Sequence, residues 1–240
     1  MFHVVKNRSP ETDLYLKYWE SNVESWGRLY LSASHGGEKL AAPPLLARLY
    51  SAGPGRYEAF LMKRRYALTM EYVSALKPGS HLLDIGCGTG IFTVQALMRG
   101  CTVTAVDFAE AALNATRSAA AASCPTAGDR LALLRLDVRR DELPTADHAL
   151  LVGVLPYISD PGPLMDRVLR STRTAFIQFS DSGHWANRLR TAAPVLNVRR
   201  LQFQRPGFFL DKFAANGWTL VRQEKFATGF IMTARKGEAP

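Results

Sequence analysis

The rhythm of apolar and polar positions changes near residue 80. Over 10–32, Tyr15, Trp19, Val23, Trp26 and Tyr30 recur every three or four residues, the period of one helix face. The stretch 32–57 is interrupted by Gly36, Gly37, Pro43, Pro44, Gly53, Pro54 and Gly55 and reads as loop with room for one short helix, a hinge or cover. Tyr57, Phe60, Leu61, Leu68, Tyr72 and Leu76 then share a face, predicting a helix over 57–77 that Pro78-Gly79 stops. Beyond it, short apolar runs alternate with helical segments. HLLDIG, TVTAVD, LALLRLD, ALLVGVL and TAFIQFS read as strands, with helices over 90–99, 108–123 and 162–171 between them. That alternation predicts an α/β fold, a doubly wound and mostly parallel sheet covered on both faces. A basic, proline-interrupted insertion (181–206) precedes a helix at 207–216, and WTLVRQEKFATGFIMTARK reads as two further strands.

Composition narrows the class. With 240 residues, 47% hydrophobic and 21% charged, the chain suits one large domain and excludes disordered, collagen-like and coiled-coil classes. The N-terminus lacks an apolar run of signal-peptide length and no segment approaches the roughly 20 apolar residues of a membrane span, so a cytoplasmic location is expected. Cys87, Cys101 and Cys124 are odd in number, without CxxC spacing, which argues against a disulfide framework or a structural zinc. The net charge of +9 is concentrated: residues 161–240 hold thirteen basic and five acidic side chains. Such a surface attracts nucleic acid, anionic lipid or a small anionic substrate without choosing among them.

The chemistry is written in Leu82-Leu83-Asp84-Ile85-Gly86-Cys87-Gly88-Thr89-Gly90, a buried strand entering three glycines at alternate positions and then a helix. Glycine lets backbone approach a ligand, and the helix's amide end suits an anionic group. The spacing is GxGxG rather than the dinucleotide GxGxxG, and Asp84 would repel a pyrophosphate but suits an ammonium. Asp107 ends the next strand, where a carboxylate meets a ribose diol as a two-acceptor partner. Phe108 offers a face for a purine, and Asp137 closes LALLRLD within reach of an exocyclic amine. Three acids at successive strand ends form one constellation.

LLDIGCGTG, the acid in TVTAVDFAEAAL, LRLDV and ALLVGVLPYISDP resemble the class I S-adenosylmethionine-dependent methyltransferases over about 78–236, in their small-molecule branch. The resemblance implies a seven-stranded sheet whose last strand is antiparallel, an N-terminal helical lid (1–77) and a cofactor-binding core (78–240) carrying the acceptor-side insertion. It implies S-adenosylmethionine as cofactor, S-adenosylhomocysteine as product and a small molecule as acceptor. Gly86, Cys87, Gly88 and Gly90 would hold the methionine end with Asp84 as polar anchor. Asp107 would bind the ribose, Phe108 and Val138 would flank adenine, Asp137 would meet its amine, and Gly153 and Val154 would line the cofactor near the methyl. Pro156 departs from metal-binding versions, so no metal is expected.

For catalysis, His184 in SDSGHWANRLR is a candidate base and Tyr157 a candidate orienting group, against bland readings as a surface histidine and a packing tyrosine; His35 is weaker. Arg188, Arg190, Arg199, Arg200 and Arg205 would hold an anionic acceptor or form a solvated surface. The alternatives are an RNA methyltransferase, motivated by the basic last third, and a non-catalytic cofactor-binding partner protein.

Overall fold

The computed structural model describes residues 54–194, 197 and 200–237, with Leu16 and Glu20. The aromatic stripe at 10–32, His35, Arg199 and most of the expected lid lie outside the described residues. The helix expected at 57–77 is α1, Pro54–Ser74. It is followed by β1 (His81–Ile85), α2 (Ile91–Met98), β2 (Thr102–Asp107), α3 (Glu110–Ser123), β3 (Leu131–Arg135) and β4 (His148–Leu151). Then come α4 (Gly162–Ser171), β5 (Thr174–Ser180), α5 (Trp185–Ala192), α6 (Pro206–Ala215), β6 (Trp218–Phe226) and β7 (Gly229–Lys236).

The strands form one seven-stranded sheet in the order β3-β2-β1-β4-β5-β7-β6. β1 to β5 pair in parallel, while β7 enters between β5 and β6 and runs antiparallel to both. Side-chain alternation sends neighbouring residues to opposite layers. Leu83, Ile85, Ile177 and Phe179 pack with Met165 and Val168 of α4 and Phe209 and Phe213 of α6. Leu82, Val103 and Phe176 pack with Val73 of α1, Phe92 and Leu97 of α2 and Leu113 of α3. Covering both faces is why β1, β2, β4 and β5 read as continuous apolar runs.

Two strand ends fall short of expectation. β3 stops at Arg135, because Asp137 opens a turn whose carbonyl accepts from Arg140 and Asp141. β4 stops at Leu151: Gly153 has φ +77°, and Leu155–Tyr157 coils into a short 3-10 turn. The described part of the insertion contains α5. Asn187, fully buried, donates to the carbonyls of Asp181 and Thr228 and so ties α5 to the β6–β7 turn. Among the described residues no helix is long and apolar enough to cross a membrane.

The strand order reverses between β1 and β4. In open α/β sheets the crevice beyond the carboxyl ends of such a pair is where ligands bind.

Candidate active site

The glycine loop leaves β1 at that crevice, tied to β2 by Gly86 and Cys87 amides that donate to the Val106 carbonyl. Gly86 (φ +73°) lies bare against Val154, where a Cβ would collide with the valine side chain; Gly88 (φ +55°) has open space in the same direction. The third glycine does something else. Gly90 caps α2, a Cβ there would come within 2.8 Å of the Thr116 backbone, and it is absent from the cavity wall. At that cap it allows close packing of α2 on α3. Cys87 is buried, and burial with Asp107 and Asp84 nearby pushes its thiol well up, which disfavours the thiolate.

Asp84 is 3% exposed and accepts a 2.6 Å hydrogen bond from the Thr93 hydroxyl of α2. Burial raises its carboxyl to about 6 against that bond, with Asp107 adding repulsion. Asp107 accepts from the amides of Gly88 at 3.2 Å and Ala109 at 3.0 Å, and burial likewise raises it to about 6. Their hydrogen bonds only partly offset the cost of burying each carboxylate. Asp137 is differently placed: Arg139 donates to it from its amide at 3.2 Å and from Nε at 2.9 Å, and Arg140 stands 3.8 Å away.

These groups line one cavity of about 320 Å³, within the usual range for small-ligand sites. Asp84, Gly86, Cys87, Gly88, Asp107, Phe108, Asp137, Val138, Gly153, Val154 and Tyr157 are all in its wall. His184 is not. Its Nδ1 accepts from the Ala186 amide at 3.2 Å, making it the N-cap of α5, and its ring stacks on Trp185. The structure places His184 at the start of α5, outside the cavity wall. Arg188, Arg190, Arg200 and Arg205 also lie outside the wall.

A protein-family model described as a methyltransferase domain matches residues 83–175, the stretch from β1 to β5 that builds this crevice. Over that stretch the chain is similar to methyltransferase domains. Over 85 residues it is 35% identical to a malonyl-acyl-carrier-protein O-methyltransferase of Serratia marcescens, a match spanning 35% of this chain and 33% of that protein. The chain thus spans about a third of that curated relative. Magnesium protoporphyrin IX methyltransferase from Synechocystis PCC 6803, solved with bound S-adenosylmethionine, superposes with a TM-score of 0.67 at 14% identity. That likeness covers 97% of this chain and 100% of the other. The (4+2)-cyclase SpnF shares the fold at a TM-score of 0.59 and 14% identity, over 98% and 99% of the two chains.

The cavity also has wall residues that sequence patterns did not reveal. Arg65 of α1 lies 3.6 Å from the position a Cβ on Gly153 would take, and α1 adds Leu61 and Met62. The Arg139 guanidinium stands 5.9 Å from the centre of the Phe108 ring. Gln178 and Ser180 of β5, Leu201 of the insertion and Phe226, Ala227 and Thr228 of the β6–β7 turn complete the far side. The only available signal was strand alternation, which puts Gln178 and Ser180 on one face of β5.

Proposed function

We propose that the protein binds S-adenosylmethionine in this cavity and catalyses transfer of its methyl group to an oxygen or nitrogen of a small molecule by direct displacement. The observation that carries this is the convergence of the GxGxG loop with carboxylates from β1, β2 and the turn after β3 on one cavity wall. The burial of two of those acids supports the fit. The ribose diol would add donors to Asp107, and the ammonium would offset the burial of a charged Asp84. Arg65 suits the carboxylate of the same amino-acid moiety. The bare α-carbons of Gly86 and Gly88 admit the chain between them.

When bound, the sulfonium supplies its own leaving group. The protein's residues have to hold the acceptor atom in line at roughly 3–3.5 Å and exclude water, a positioning effect of about 7–11 kcal/mol in favourable cases. Phe108, Leu136 and Val138 form an apolar slot for adenine, with the Arg139 guanidinium 5.9 Å from the Phe108 ring centre. Asp137, already held by Arg139, contributes a shared contact to the adenine amine. Tyr157, on the 3-10 turn after β4, orients the acceptor.

The SpnF fold favours a second reading, cofactor binding without methyl transfer, since one architecture serves other chemistry. Incubation with methyl-labelled S-adenosylmethionine and either a small-molecule extract or total RNA separates the readings. Label in the organic-soluble fraction, lost in Asp107→Ala, is the expected result. Label in RNA would move the acceptor class to nucleic acid. Cofactor binding with no labelled product in either fraction would favour the non-catalytic reading.

A further inference from the structure

Gln178 is 8% exposed, and its carboxamide oxygen has no hydrogen-bond partner among the described residues. Buried acceptors are nearly always paired, so an orphan on a cavity wall points to a donor that arrives with a ligand. The strand fixes where that ligand sits. Ile177 and Phe179 turn into the core against α4 and α6, while Phe176 belongs to the opposite layer, so Gln178 and Ser180 face the α1 side. β5 lies three strands from β2 in the sheet order, about 14 Å at ordinary strand spacing. Gln178 therefore stands far from Asp107, beyond the place where a bound nucleoside would end.

The surroundings define what fits there. Tyr157, Ile158, Leu201 and Phe226 give an apolar wall, and Ser180 and Thr228 add hydroxyls but no charge. The arginines of the insertion that the sequence suggested for an anionic acceptor lie elsewhere among the described residues. We propose that Gln178 selects the acceptor: a neutral, largely apolar molecule that presents an O–H or N–H to the Gln178 carboxamide oxygen. This rests on the methyltransferase reading and names its substrate class.

The test uses the full chain saturated with S-adenosylhomocysteine and three planar probes: 2-naphthol, 2-methoxynaphthalene and 2-naphthoate. Failure to bind S-adenosylhomocysteine would overturn the methyltransferase reading itself, separately from this proposal. In the loaded protein, 2-naphthol is expected to bind about tenfold tighter than 2-methoxynaphthalene, the size of one net hydrogen bond, with 2-naphthoate weakest. Gln178→Met, of similar length and apolar, is expected to erase the preference. Gln178→Glu, which keeps an acceptor oxygen, is expected to retain it and to reject 2-naphthoate further. Preference for the carboxylate, a preference unchanged in Gln178→Met, or no discrimination among the probes in the wild type would overturn the proposal. If Gln178→Met does not fold, the Gln178→Glu arm and the wild-type series still decide it.

Discussion

Asp84 and Asp107 share a trade between stability and binding. Both are raised from 3.8 to about 6 in the folded chain. Stability present below about pH 4 is thus lost as pH rises through about 6, because each must ionise in a buried site. Asp84→Asn removes that cost and lets the Thr93 hydroxyl turn to accept. Thermal unfolding of the unliganded variant at about pH 8 is expected at or above the wild-type temperature, while affinity for S-adenosylhomocysteine falls at least tenfold; a clear loss of stability would contradict it. Because the ligand is held by the ionised forms, wild-type affinity should drop below about pH 6 by up to tenfold per pH unit for each carboxyl. Calorimetry across about pH 5 to 8 reads this directly, and a flat profile would contradict the assignment. Asp137→Ala should cost less than Asp107→Ala, since Arg139 already occupies Asp137.

At the scale of elements, the β5–β7 pair holds the acceptor side of the cavity in place. Gly229 faces Ser180 across the pair, and a Cβ there would strike the Phe179 carbonyl, which is backbone and has no room to yield. Gly229→Ala is expected to destabilise the fold by about 2–4 kcal/mol in urea unfolding, in the range of other overpacked sites; an unchanged midpoint would show that β7 can shift. The first turn of α3 is capped from a distance, as the Glu20 carboxylate accepts from the Glu110 and Ala111 amides at 2.9 and 3.1 Å. Leu16, one helical turn earlier, packs on Ala109 and Ala112. Glu20→Ala should lower stability by about 1 kcal/mol, as losing a helix cap does, read from the same unfolding curves.

Strands and helices were legible in the chain because burial on both sheet faces leaves unbroken apolar runs, and their ends were legible where Pro or Gly falls. The end of β4 was not, since Val152, Gly153 and Val154 continue the apolar run and only the positive φ of Gly153 turns it away. The cofactor-side acids were readable from their positions at strand ends. Other wall residues were not: Arg65 sits within a helix and Gln178 within a strand, and each looks like an ordinary surface or core residue until neighbouring elements close around it. His184 follows a cavity strand closely in sequence, yet the first turn of α5 engages its ring. Nearness along the chain did not fix orientation.

At the scale of the whole molecule, the basic excess of the last third lies apart from the cavity among the described residues. The last 80 residues carry the basic excess, but the described arginines of 181–206 stand outside the pocket wall. Binding to transfer RNA is accordingly expected to be no tighter than about 1 µM at about 0.15 M salt, the range of non-specific contact; a tighter, steeply salt-dependent complex would favour the nucleic-acid reading. The most direct measurement of the central claim is calorimetric titration of the full chain with S-adenosylhomocysteine, alongside Asp107→Ala and with NADH as competing ligand. Micromolar binding that weakens about 10- to 100-fold in the variant, the loss expected for hydrogen bonds to a charged group, with no response to NADH, is the expected result. No binding of S-adenosylhomocysteine, or binding of NADH alone, would contradict the assignment of the glycine loop and the function built on it.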